Sequence, residues 1–275
     1  MKRYALLRLV LGLVLGYSTV GIFGGLLVGL VGCATSPEGR SQLMIVPDSQ
    51  MSDMGVQAFT DMKQKEKIDA NPTDNAFVKC VAGAITDALP DKRQWEVVVF
   101  QDDQVNAFAL PGGKIGVLSG ILKVTTTPDQ LGAVLGHEVG HVLARHSAER
   151  ASEQLLEQGG SSALGGILSN PDSKAYPLVM AGLGLGTQYG IAMPHSRTQE
   201  SEADAIGLEL MAKAGFDPRQ AVELWHNMDK AAGGQPPEWL SDHPANARRI
   251  DDLTARMPNA LALYKASGRH PNCHR

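Results

Sequence analysis

Two histidines four residues apart, His137 and His141, place the strongest constraint on how this 275-residue chain can fold. They lie in an apolar stretch that begins at Pro128, after a residue suited to cap a helix, Thr127, and keeps helical periodicity to about Arg145. Because residues four apart share one face of a helix, both imidazoles can point at one metal ion. The pattern therefore predicts a largely buried helix that carries half of a metal site.

Glu138 lies beside the two imidazoles and is the candidate general base. Zinc acidifies a water molecule, and a nearby carboxylate that is not a ligand can remove the proton and deliver it to the leaving amine. The alternative is a helix that carries two surface histidines by chance, which the apolar residues around the run disfavour. The run His137 to His141 therefore indicates peptide hydrolysis with one zinc ion per chain.

A third protein ligand must come from another segment, and a charged helical pattern from Ser196 to Ala214 offers acidic residues. Glu200 and Asp204 share one helix face, whereas Glu202 is expected to face solvent. If Glu200 binds zinc, Asp204 can bond a histidine ring N–H and fix its tautomer. An exposed acidic helix start, favoured by the helix dipole, is the alternative that these residues leave open.

The N-terminal residues predict export and attachment to a membrane. Basic residues precede an almost uncharged apolar stretch from Leu9 to Gly32, which is typical of a targeting segment. The run from Leu30 to Cys33 resembles the lipobox of bacterial lipoproteins, although an uncleaved signal anchor is the alternative. We therefore expect a signal peptide at 1–32, a lipid on Cys33 with a tether at 33–47, and an outer-membrane location facing the periplasm.

The cysteine count and the net charge limit which compartments and which classes of partner are compatible with this sequence. With Cys33 assigned to lipid, Cys80 and Cys273 remain as one possible disulfide, or as two unpaired thiols. A net charge of −4 and the absence of basic stretches with interleaved aromatics exclude nucleic acid as a partner. The oligomeric state stays open.

Periodicity and turn residues predict the rest of the architecture. Apolar spacing predicts helices before and after the His137 helix, a valine-rich strand, and a hairpin whose turn is Pro111 to Gly113. The expected elements are helices at 51–67, 75–89, from 147, at 175–193 and at 196–214, a strand at 95–100, a hairpin at 105–118 and a loop at 159–166. The chain is thus expected to form one mature domain at 48–275, α+β and mostly helical.

Several motifs together resemble one family. They are the run from His137 to His141, the acidic run from Glu200 to Asp204, the segment from Asn106 to Gly113, Ser196-Arg197, and His243-Pro244 with Arg249. In this combination the chain resembles the HtpX-like and CAAX prenyl protease family of gluzincins across nearly all of the mature sequence. In layout it is similar to periplasmic lipoprotein members that act in protein quality control.

The resemblance implies a zincin-like metallopeptidase domain with a small β-sheet and an active-site helix. It implies zinc ligands, a general base, a residue that orients a ligand, and an edge strand to which an extended substrate adds. By this resemblance, the zinc ligands are His137, His141 and Glu200, and the general base is Glu138. Asp204 is the residue that orients a ligand. The edge strand contains Asn106, Ala107, Phe108 and Ala109. His243 and Arg249 would stabilise the oxyanion, or His243 would occupy the open zinc position and keep the enzyme latent. His146 is expected to be structural.

The leading functional hypothesis is a zinc metalloendopeptidase of the bacterial envelope that degrades misfolded or unassembled proteins, including those of the outer membrane. Its partners would be unfolded envelope proteins, and the N-terminal lipid would attach the protein to the membrane. One alternative is a chaperone-like assembly factor for outer-membrane proteins with little or latent proteolysis. Another is a purely structural metal, which three ligands and a free carboxylate disfavour, because structural zinc normally has four protein ligands.

Overall fold

The computed structural model describes residues 33–91, 93–157, 180–183, 195–231 and 247–275, together with Trp239, Ser241 and His243. The chain divides into two units, residues 1–45 and 46–275. In the described part of the chain, no helix is both long enough and apolar enough to cross a membrane. The predicted signal peptide, the loop at 159–166 and most of the helix at 175–193 lie outside the described residues.

In the first unit, the segment predicted as a tether contains a small hairpin. Strand β1 (Cys33–Thr35) pairs antiparallel with β2 (Ser41–Leu43). The turn closes when the Ser36 N–H donates to the Arg40 carbonyl at 2.8 Å. Regular pairing in the described residues thus includes Cys33 itself, while the proposed domain boundaries stay predictions.

The second unit begins with two helices, α1 (Asp48–Lys65) and α2 (Pro72–Asp87). The Asn71 side chain caps α2 by accepting from the N–H groups of Thr73 and Asp74, and Pro72 needs no hydrogen bond at the first helical position. The apolar face of α2 includes Val78 and Val81, which are fully buried in the main core.

A three-stranded sheet follows, formed by β3 (Glu96–Phe100), β4 (Ala107–Leu110) and β5 (Lys114–Leu118). The strand order is β3-β5-β4, with β3 parallel and β4 antiparallel to β5. Gly112 and Gly113 have φ angles of 85° and 73°, the left-handed region that the predicted hairpin turn needs. Because β4 is last in the strand order, it is an edge strand of this sheet.

Helix α3 (Pro128–Leu143) is the centre of the unit and packs against α2, β4 and the later helices. It begins as expected, because the Thr127 side chain accepts from the Gln130 N–H. It ends before Arg145, whose φ of 57° turns the chain into α4 (His146–Glu157).

Three further helices complete the described part: α5 (Arg197–Ala214), α6 (Gln220–Ala231) and α7 (Ala247–Ser267). A capping box between Ser196 and Gln199 starts α5, and Gly215 ends it at a φ of 93°. α5 lies against α3, and α7 lies against α5. The expectation of an α+β, mostly helical domain with a small sheet is confirmed.

The C-terminal tail is joined to α2 by a disulfide between Cys80 and Cys273. Beside it, the Arg275 guanidinium bonds Asp74 at 2.6 Å and the Leu122 carbonyl at 2.8 Å. The tail therefore has a covalent and an ionic attachment to the helical core.

Candidate metal centre

α3 and α5 bring His137, His141 and Glu200 together in the interior, although the last is some sixty residues away in the chain. The Nε2 atoms of His137 and His141 are 3.0 Å apart, and each lies 3.4 Å from an oxygen of Glu200. His243 joins them, with its Nδ1 atom 3.2 Å from His137 Nε2 and 3.0 Å from Glu200 Oε1. The four side chains form one buried cluster whose ligand atoms all lie within 4.8 Å of one another.

These residues fit a zinc ion. Donor atoms about 2.0 to 2.2 Å from a tetrahedral ion lie about 3.3 to 3.6 Å from one another. The distances within the cluster, 3.0 to 3.4 Å, are a few tenths of an ångström below those of such a set, so a small outward shift of the side chains would admit the ion. Imidazole nitrogens with one carboxylate oxygen also form a donor set that zinc accepts.

Asp204 and Arg249 hold the ligands from behind. Asp204 Oδ1 lies 2.9 Å from Nδ1 of His137, as predicted for a residue that orients a ligand. The Arg249 guanidinium donates two bonds of 2.7 Å to Asp204, and its third nitrogen lies 2.7 Å from Glu200 Oε2. This arrangement does not support the predicted oxyanion role of Arg249, because its guanidinium is engaged by two carboxylates.

The electrostatics of the site follow from burial and from these carboxylates. Burial lowers the pKa of His141 well below its usual range. Burial also opposes a charge on His137, but hydrogen bonds with Asp204 and Glu200 outweigh it and raise its pKa to about 9. For Asp204, burial raises the pKa, but the charge of Arg249 outweighs it and leaves the pKa lowered. A metal ion must therefore compete with a proton at His137.

Glu138, the predicted general base, contacts a residue that the sequence reasoning missed. The Trp239 indole N–H donates to Glu138 Oε1 at 2.9 Å, and Nε2 of His243 lies 3.4 Å from the same oxygen. The Trp239 backbone N–H donates to the Val105 carbonyl, just before the edge strand, at 3.1 Å. No sequence pattern around Trp239 predicts its contacts with Glu138 and Val105, because these contacts join distant segments of the chain.

The expectation that Glu202 faces solvent is wrong. Glu202 is 5% exposed, and its Oε2 atom lies 3.1 Å from Nε2 of His146, which is fully buried. The reason is that His146 and Glu149, at the start of α4, contact this face of α5. His195, also missed, lies with its ring centroid 3.8 Å from that of His141.

The predicted substrate strand lies where the sheet has its edge. Ala107, Phe108 and Ala109 belong to β4, and Asn106 immediately precedes it. A cleft of about 590 Å³ reaches His141 and is lined by the start of α1, the β4–β5 turn and the end of α3. The structure thus provides an edge strand and a cleft near the metal cluster, and their use by a substrate stays a prediction.

Comparisons with known proteins agree with this geometry. The model of peptidase family M48 matches residues 69–257. The mitochondrial metalloendopeptidase OMA1 of Saccharomyces cerevisiae is 34% identical over 209 residues, which is 70% of this chain and 57% of the relative. The Schizosaccharomyces pombe OMA1 protein is 39% identical over 183 residues, 63% of this chain and 50% of the relative. The beta-barrel assembly-enhancing protease of Escherichia coli is 30% identical over 170 residues, 60% of this chain and 35% of the relative.

These relatives correct two predictions. The outer-membrane location is wrong, because mitochondrial OMA1 proteins match at 31–39% identity. A basic and apolar N-terminus is common to many targeting segments, so the four residues from Leu30 to Cys33 were too little evidence for the compartment. The relatives also belong to a different branch from the HtpX-like and CAAX prenyl proteases. The chain spans about half the length of the OMA1 relatives.

Proposed function

Because this chain belongs to peptidase family M48, we propose that it is a zinc-dependent endopeptidase that cleaves unfolded or misfolded protein segments. The prediction of a metallopeptidase is confirmed at the level of the family. One observation carries the proposal: three buried ligand residues converge at zinc-like spacing while the Glu138 carboxylate lies beside them without being part of the set.

The protein residues have separable tasks in this proposal. A bound zinc ion would supply Lewis acidity, which polarises a peptide carbonyl and acidifies water. Glu138 would take the proton from that water and pass it to the leaving amine. Asp204 and Arg249 would hold His137 and Glu200 in place through the bonds described above.

The proposed substrate is an extended polypeptide. An extended chain can add to the free edge of β4 through main-chain hydrogen bonds, a mode that tolerates many side chains. A folded protein offers no such free strand, so unfolded segments are preferred. We propose no nucleic acid partner, and lipid attachment at Cys33, an exposed cysteine outside any disulfide, stays a prediction.

We propose further that the described conformation is a closed form of the enzyme. His243 lies within the ligand cluster, and Trp239 bonds both the general base and the backbone next to the edge strand. A substrate must therefore displace Trp239 and His243 before it reaches the zinc position and Glu138. The same contacts favour a second candidate function, a client-binding factor with latent proteolysis.

Cleavage of casein, an unstructured protein, tests the proposal. The purified protein should cut casein, stop after removal of zinc by a chelator, and recover when zinc is returned. Glu138→Gln should reduce cleavage by about a hundredfold or more while zinc binding remains, because the general base is lost and the ligands are not. The matched control is Glu209→Gln, which makes the same change from carboxylate to carboxamide at the surface of α5. This variant should cleave casein normally.

Casein cleavage by Glu138→Gln at the native rate would refute the assigned mechanism. A comparison of the two candidate functions needs the cellular role as well as the activity. If Glu138→Gln restores that role in cells that lack the protein, the client-binding function is favoured; if it fails while Glu209→Gln succeeds, proteolysis is the function.

A further inference from the structure

We propose that His146 and Glu202 are positioning residues, which fix the tautomer and the ring orientation of the metal ligand His141. The inference rests on the proposed metal site. Nδ1 of His146 lies 2.8 Å from Nδ1 of His141, and Nε2 of His146 lies 3.1 Å from Oε2 of Glu202. The three side chains form a continuous row that begins at the metal cluster and ends at a buried carboxylate.

Hydrogen-bond accounting allows one proton arrangement along this row. Nε2 of His141 faces the metal cluster, so it must keep its lone pair, and the ring proton must be on Nδ1. That N–H donates to Nδ1 of His146, which in turn must carry its own proton on Nε2. The second proton is donated to Glu202. Both rings are then neutral, and each of the contacts in the row has one donor and one acceptor.

A local backbone feature explains why His146 reaches His141 although the two are five residues apart, out of phase on a continuous helix. Arg145 adopts a φ of 57°, which breaks the helical path between α3 and α4. His146 is the first residue of α4 and is fully buried against the back of His141. A left-handed non-glycine residue is uncommon, and here it places a histidine at its target.

A second metal ion is the competing interpretation. His141, His146 and His195 have ligand atoms within 4.8 Å of one another. An ion there would take the lone pair of His141 Nδ1 while the first ion took that of Nε2, so the ring would have to lose both protons. The carboxylate at His146 Nε2 would accept from a neutral ring in either case, so the loss of both protons from His141 is the difference that decides. The geometry therefore favours a hydrogen-bonded row over a second ion.

The test measures zinc affinity, by competition with a chromophoric chelator, and the visible spectrum of the cobalt-substituted protein. His146→Asn keeps an acceptor at the place of Nδ1, whereas His146→Gln moves its polar end toward the place of Nε2. The proposal expects zinc binding within a few-fold of native for His146→Asn. It expects binding weaker by about 10- to 100-fold, with a changed cobalt spectrum, for His146→Gln. His226→Gln, a change at an exposed histidine on α6, should alter neither measurement.

Several outcomes would overturn the inference. Equal weakening by His146→Asn and His146→Gln would show that His146 only fills space. Native affinity in both would show that it does not act on His141. Two ions per native chain, with one lost in His146→Gln, would establish the second metal site instead.

If a His146 variant fails to fold, Glu202→Gln provides an independent test. This variant retains an acceptor but loses the charge. The proposal expects it to weaken zinc binding by several-fold, and unchanged binding would count against it. If the native protein binds no zinc at all, the proposed function fails; if it binds zinc and none of these variants changes the affinity, only this inference fails.

Discussion

Four buried carboxylates lie around the ligand cluster, and their contacts give them different roles. Glu138 accepts from an indole N–H, which is a neutral contact that a substrate can replace. Glu200 and Asp204 share the Arg249 guanidinium, a buried pairing that offsets part of their charge and limits their movement. Glu202 contacts an imidazole instead. Residue type alone does not distinguish these roles, because all four are acidic residues on two helices.

Substitution of His243 tests whether this residue is a latch or an oxyanion-stabilising group. Its ring lies at hydrogen-bond distance from His137 and Glu200, so we expect His243→Ala to free the fourth position at the metal. If the closed form accounts for nine chains in ten, casein cleavage should rise by about tenfold. His270→Ala, at an exposed histidine, is the control and should leave the rate unchanged. A fall in the rate of His243→Ala with zinc content unchanged would support the oxyanion role and contradict the latch.

At the level of elements, the site depends on how closely α3 and α5 approach. A Cβ atom added to Gly136 would lie 2.8 Å from the Gly207 carbonyl oxygen, and one added to Gly140 would lie 2.9 Å from that of Ala203. The two backbones are thus in direct contact at these glycines. This contact places the histidines of one helix against Glu200 and Asp204 of the other.

We therefore expect Gly207→Ala to lower the free energy of unfolding by about 1 to 3 kcal/mol and to weaken zinc binding. The added methyl group would lie 2.7 Å from the His137 backbone nitrogen, so the helices must move apart. Chemical denaturation and chelator competition measure the two effects. Gly83→Ala on α2, where an added Cβ meets nothing within 4 Å, is the control and should stabilise the protein by about 0.5 to 1 kcal/mol. Equal effects of both substitutions would show that helix proximity does not control the site.

Local patterns predicted those elements whose signals lie within a few residues. The cap at Thr127, the glycine turn at 112–113 and the helix end at Ala214 all have local signals, and the structure has each of them. The orientation of Glu202 and the role of Trp239 could not be predicted, because both depend on segments far away in the chain. A helix wheel assumes one solvent face, whereas side chains from the start of α4 contact that face of α5.

At the scale of the whole unit, the C-terminal tail is joined to helix α2. α7 carries Arg249, which holds the ligand carboxylates, and the residues after α7 continue to Cys273. The disulfide to Cys80 and the bond from Arg275 to Asp74 attach this tail to α2. The sequence left the pairing of the two cysteines open, because spacing along a chain contains no distance information.

Removal of this disulfide should mainly destabilise the fold. Cys80 and Cys273 are separated by 193 residues, and the chain-entropy model gives roughly 5 kcal/mol for a loop of that length. We expect reduction to lower the midpoint of thermal unfolding by about 10 to 20 °C. The control is the double variant Cys80→Ala with Cys273→Ala, which should unfold at the lower midpoint with or without reductant. Because Arg249 holds Glu200 and Asp204 through contacts that do not involve the disulfide, zinc binding below the lower midpoint should be unchanged. An equal midpoint for the oxidised and reduced native protein would show that burial of the tail, rather than the covalent link, provides the stability.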